Sequence, residues 1–109
     1  MKDYLVSIIT PCCNSEKYIS DTIKSVLNQS YKNWEMIIVD DCSIDKSAEI
    51  IKSFSKIDNR IKYIQMLKNV GAGHSRNKGI ELAKGKFYAF LDSDDLWHPD
   101  KLKIQIKFM

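Results

Sequence analysis

The chain has 109 residues, 44% of them hydrophobic and 28% charged, with a net charge of +3. That is the length and make-up of one globular domain, long enough to bury roughly two-thirds of its unfolded surface. Its basic residues are scattered rather than gathered into a stripe, which argues against nucleic acid as a partner, and no apolar run approaches the ~20 residues of a membrane span.

Leu5 to Thr10, rich in Val and Ile, predicts a first strand rather than a signal peptide, because the run is short and ends at Pro11. Asn14 or Ser15 can cap a first helix with Ile19, Ile23, Val26 and Leu27 on its inner face. Trp34 to Val39 is a second strand, continuously apolar from Met36 as a strand buried on both faces should be. Ser43 or Asp45 starts a second helix with Ala48, Ile51 and Phe54 inward, and Ile61 to Gln65 is a third strand. Ala72 to Ala83 is a third helix with Ile80 and Ala83 inward, closed by Gly85 as the residue just past its end. Lys86 to Leu91 is a fourth strand, and Pro99 opens a helix to Met109 with Leu102, Ile106 and Met109 on one face. Strand–helix alternation at this spacing predicts an α/β fold, Rossmann-like, three layers α/β/α around a mostly parallel sheet. With no closing strands, the sheet keeps an uncovered edge through which the chain could self-associate. Cys12, Cys13 and Cys42 form no CxxC pair, which points to free thiols in a reducing cytoplasm.

Loops at the carboxyl ends of parallel strands form the ligand crevice of such folds. That places Pro11 to Asn14, Asp40 to Ser43 and Asp92 to Asp95 on one edge. Asp92-Ser93-Asp94-Asp95 crowds three carboxylates behind an apolar strand. Such charges repel and call for a counter-charge. A hard divalent cation supplies one and leaves coordination sites for a diphosphate; acidic caps on the last helix are the alternative. Asp40 is placed to accept hydrogen bonds from a ribose or base, with Asp41 or Ser43 capping the second helix. Gly71 and Gly73 open the third helix, where backbone can approach an anion, and Arg76 can pair with a phosphate or with the nearby acids. His98 serves either a metal shell or a helix cap. The first strand is followed by no glycine, so no nicotinamide-dinucleotide fingerprint is present.

With these blocks in order, the chain resembles the N-terminal half of a family 2 glycosyltransferase of the GT-A fold. The blocks are Val6 to Pro11 with Asn14, Val39 to Asp45, Asn69-Val70-Gly71, Ser75 to Gly79, Ala83-Lys84-Gly85, and Phe90 to Asp95. The resemblance implies transfer of a sugar from a nucleotide-sugar, often UDP-linked, usually with inversion, in bacterial polysaccharide biosynthesis. By position, Pro11 and Asn14 would line the base pocket, Asp40 would bond uracil or ribose, and Arg76, Asp92 and Ser93 would approach the nucleotide-sugar. Mn²⁺ or Mg²⁺ would sit on Asp94 and Asp95, either of which could be the direct ligand. Cys13 stands where the family commonly has an aromatic residue, and Cys42 where it usually has glycine. Residues 1–109 are then expected to be the donor-binding half, with no catalytic residue of their own. The acceptor half and its base would lie elsewhere, leaving the piece inactive alone. A saccharide or lipid-linked acceptor would place the enzyme in the cytoplasm, peripherally at the inner face of the membrane. The competing expectation is a non-catalytic α/β nucleotide-binding or interaction module.

Overall fold

A computed structural model describes residues 3–107. In chain order the elements are β1 (Val6–Cys12), α1 (Ile19–Leu27), β2 (Trp34–Asp40), α2 (Ser47–Ile57), β3 (Ile61–Gln65), α3 (Ala72–Leu82), β4 (Phe87–Phe90) and α4 (Lys101–Lys107). The four strands form one sheet in the order β3-β2-β1-β4, every neighbouring pair parallel. The α/β expectation therefore holds. Every residue of the central strands β1 and β2 is buried, which is why they read as unbroken apolar runs. The chain winds outward from β1 through β2 to β3, then crosses back to pair β4 with β1. The order reverses between β1 and β4, and a doubly wound sheet opens its ligand crevice at such a point.

Alternation along the strands divides the core. Ile8, Cys12, Met36 and Ile38 share one cluster with Ile19, Ile23 and Val26 of α1, Ile51 of α2, and Leu102 and Ile106 of α4. The opposite face, carrying Ile9, lies under α3. Here the structure corrects the expected inner face of the third helix. Ser75 and Gly79 are its buried residues, Ile80 is half-buried, and Ala83 follows the helix in extended backbone. The cause is proximity: a Cβ on Gly79 would lie 2.6 Å from Cγ2 of Ile9, so only small residues fit beneath α3. Gly85 likewise is no left-handed cap, since Gly71 is the glycine with positive φ among the described residues. Its backbone runs so close to β1 that a Cβ would sit 2.7 Å from the Ser7 amide nitrogen.

The helix starts differ too. Asn14 does not cap α1; its backbone is left-handed at φ 50° and its Oδ1 accepts the Ile44 amide at 2.8 Å. Ser15 contributes its carbonyl, which accepts the amides of Tyr18 and Ile19. At α2 the capping acid is Asp45, whose Oδ1 accepts the Ser47 amide at 2.9 Å. Leu102 and Ile106 face inward as expected, whereas the inward placement of Met109 lies outside the described residues. On the α3 side of β2, buried Glu35 accepts the Ser7 hydroxyl (2.6 Å), the Lys84 amide (2.7 Å) and the Lys62 ammonium (2.7 Å). It thereby ties the α3–β4 turn to the sheet. Burial opposes ionisation of this carboxyl, but the bonds from Lys62, Ser7 and Lys84 outweigh it and hold its pKa below the ordinary value.

Candidate functional site

The carboxyl ends of β1, β2 and β4 enclose a cavity of about 360 Å³. Pro11, Cys12, Cys13, Asn14 and Ser15 from the β1 exit form one wall, with Tyr18 ahead of α1. Asp41 follows β2, Ala72 and Ser75 come from the first turns of α3, and Asp92, Ser93 and Asp94 follow β4. Of the residues expected at the site, Pro11, Asn14, Asp92, Ser93 and Asp94 line this cavity.

Asp40, Arg76 and Asp95 do not, although Asp95 closes the acidic turn beside it. Asp40 is 1% exposed, and both of its carboxylate oxygens are occupied. Oδ1 accepts the Ser43 amide and hydroxyl, and Oδ2 accepts the Tyr63 hydroxyl at 2.6 Å. Ser43 Oγ in turn accepts the Asn14 amide at 2.9 Å. Asp40 thus braces the β1 exit from below. Burial, and next the Asp40 carboxylate, push the Tyr63 phenol far above its ordinary pKa, so it remains a donor.

The acid facing the cavity is Asp41, expected from sequence only as a cap. Its Oδ1 and Oδ2 accept the Val70 amide (2.7 Å) and the Gly71 amide (2.8 Å), fixing the start of α3 over the cavity. Strand geometry explains the exchange. Cys12 pairs with Asp40 on the α1/α2 side, so the next residue points to the α3 side. Period-two alternation counted from Met36 would have shown it. Ser15, Tyr18 and Ser75 were also missed; no periodic signal marks them. Ser75 carries a buried hydroxyl with no hydrogen-bond partner among the described residues.

Asp92 to Asp95 form a tight turn closed by the Asp95 amide on the Asp92 carbonyl at 3.1 Å. Ser93 points inward, its Oγ 2.5 Å from Ser15 Oγ, while the three acids are exposed. One carboxylate oxygen from each of Asp92, Asp94 and Asp95 lies within 4.8 Å of the others. Three hard oxygen donors held this close, open to solvent, match what Mg²⁺ or Mn²⁺ prefers. Arg76 sits behind the turn, its guanidinium 3.9 Å from Asp92 and lining a neighbouring shallower cavity with Phe90. His98 is a turn residue: its Nδ1 accepts the Asp100 amide at 3.2 Å.

Cys42 keeps left-handed backbone, φ 58°, without being glycine, a conformation that costs an L-residue ~1–2 kcal/mol. Its thiol donates to the Met66 carbonyl at 3.2 Å. All three cysteines are free. Burial and then Asp40 raise the Cys12 thiol; burial and then Asp41 raise that of Cys13. Both stay protonated near neutrality, which does not suit a nucleophile.

A family model described as Glycosyl transferase family 2 matches residues 7–109. The chain is 53% identical over 105 residues to the putative teichuronic acid biosynthesis glycosyltransferase TuaG of Bacillus subtilis, covering 96% of this chain and 42% of that protein. It is 48% identical over 109 residues to the Escherichia coli UDP-Glc:alpha-D-GlcNAc-diphosphoundecaprenol beta-1,3-glucosyltransferase WfgD, covering 100% of this chain and 42% of that one. The crystal structure of S. aureus TarS 1-349 in complex with UDP superposes with a TM-score of 0.87 at 35% identity, over 94% of this chain and 31% of that one. The chain thus spans about two fifths of the length of these curated relatives.

Proposed function

We propose, starting from the fact that this chain belongs to glycosyl transferase family 2, that residues 1–109 hold the donor of a sugar transfer. The donor is a nucleotide-sugar, UDP-linked, bound with Mn²⁺ or Mg²⁺. One observation carries this: a single cavity at the strand-order reversal is bounded by a buried acid, Asp41, on one side and by a turn of three exposed carboxylates on the other. The UDP complex of TarS and the UDP-Glc in the name of WfgD support the choice of nucleotide.

In this proposal Pro11 and Tyr18 supply the apolar wall for the base. Asp41 keeps lone pairs free beyond its two amide bonds and takes the contact with base or ribose expected of Asp40. Asp40 acts one layer below, through Ser43 and Asn14. Asp92 and Ser93 stand where the ribose and diphosphate meet the acidic turn, and Arg76 can reach the diphosphate from its far side. Asp94 and Asp95, with Asp92 beside them, would hold the cation, which when bound would offset charge building on the departing diphosphate. The acceptor, a saccharide or a lipid-linked sugar as named for WfgD, and the base that activates it belong to the remainder of a longer protein. A lipid-linked acceptor would bring that protein to the inner face of the membrane. Transfer with inversion is part of the same proposal.

Calorimetry of UDP with and without Mn²⁺ tests it. Binding should require Mn²⁺, and Asp94→Ala should abolish the Mn²⁺-dependent binding. A folded protein that binds no UDP in Mn²⁺ refutes the proposal.

A further inference from the structure

We infer that Thr22, aided by Ser15, is a positioning residue for the cation at the acidic turn; the inference rests on the metal assignment proposed above. Thr22 lies in the apolar face of α1 between Ile19 and Ile23 and is 0% exposed. An aliphatic residue would suit that face better, and a buried hydroxyl is costly unless bonded. In a helix interior Thr commonly bonds back to its own helix. Here Oγ1 reaches across instead, to the carbonyls of Ser93 at 3.0 Å and Asp95 at 2.8 Å. One hydroxyl proton is shared between two carbonyls that bracket Asp94 and Asp95.

A second tie joins Ser93 Oγ to Ser15 Oγ at 2.5 Å, so the inward residue between the acids is held from the β1 exit as well. Just past the end of the same helix, Gln29 donates to the His98 carbonyl at 2.8 Å and accepts the Leu102 amide at 3.1 Å. Those two bonds secure the far end of the segment and leave Thr22 and Ser15 as the ties local to the carboxylates. Exposed acids on a free turn would splay apart by repulsion. Pinning the backbone on both sides of them keeps their oxygens converged before a cation arrives, and partners of this kind commonly change metal affinity ~10–100-fold.

The test measures Mn²⁺ affinity of the full protein from the free-Mn²⁺ EPR signal, with no nucleotide present. Thr22→Val, which keeps the shape and removes the hydroxyl, should weaken Mn²⁺ by about tenfold, and Thr22→Ser should restore it. Wild-type affinity in a folded Thr22→Val, or a Thr22→Ser that fails to restore it, overturns the inference. A wild-type protein that binds no Mn²⁺ overturns the metal assignment beneath it, and the inference with it. Should Thr22→Val not fold, Ser15→Ala carries the test. A loss of roughly threefold is expected from the weaker tie, and unchanged affinity overturns the inference.

Discussion

Replacing Asp41 by Asn separates the two adjacent acids that end β2. Asp41 is 4% exposed, and its oxygens accept the Val70 and Gly71 amides at 2.7 and 2.8 Å. A hydrogen bond to a charged, buried acceptor contributes ~1.5–3 kcal/mol. Asn keeps one acceptor oxygen but turns an NH₂ donor toward the other amide, so one bond is lost and two donors face each other. The expected destabilisation is about 2 kcal/mol by urea titration, within the ~5–15 kcal/mol of a typical domain, so the variant stays folded. If Asp41 also accepts from the nucleotide, the same arithmetic predicts UDP affinity reduced ~10–100-fold in calorimetry with Mn²⁺. Asp40→Asn provides the contrast. It should cost stability through Ser43 and Tyr63 yet weaken UDP by less than about threefold, since it removes no direct contact. Undiminished UDP binding by Asp41→Asn, with binding lost in Asp40→Asn, would refute the exchange of roles.

Two predictions concern the scaffold. Glu35 has its pKa held below the ordinary value near 4.5. Its contribution is therefore fully present above that value and is lost as pH falls through the lowered folded pKa. Glu35→Gln should be less stable than wild type at pH 7, and the gap in urea midpoint should narrow by pH 3; a constant gap would contradict the assignment. Gly79→Val places a Cβ 2.6 Å from Ile9 and should destabilise by about 1–3 kcal/mol through overpacking. Stability equal to wild type would mean that α3 does not lie so close to β1.

How much was legible in advance depends on what each residue answers to. Strands buried on both faces must be apolar throughout, so β1 and β2 announce themselves. The inner face of α1 is equally plain, because the large apolar residues Ile19, Ile23 and Val26 recur at helical spacing and are buried together. The third helix inverts that rule: at close approach only Ser75 and Gly79 fit, and apolar periodicity then marks the wrong face. Nothing local explains Thr22 in the apolar stripe of α1, because its partners, the carbonyls of Ser93 and Asp95, lie more than seventy residues away.

The order of the elements, the acids at their carboxyl ends and the resemblance carried by six short blocks were all determined by sequence alone, since they depend on local pattern and spacing. Which of two neighbouring acids faces the cavity was decided only in three dimensions. Asp40 and Asp41 are chemically identical in the sequence. β2 ends with Asp40 toward the α1/α2 side and Asp41 toward the α3 side, and the cavity is bounded there by Ala72 and Ser75 of α3.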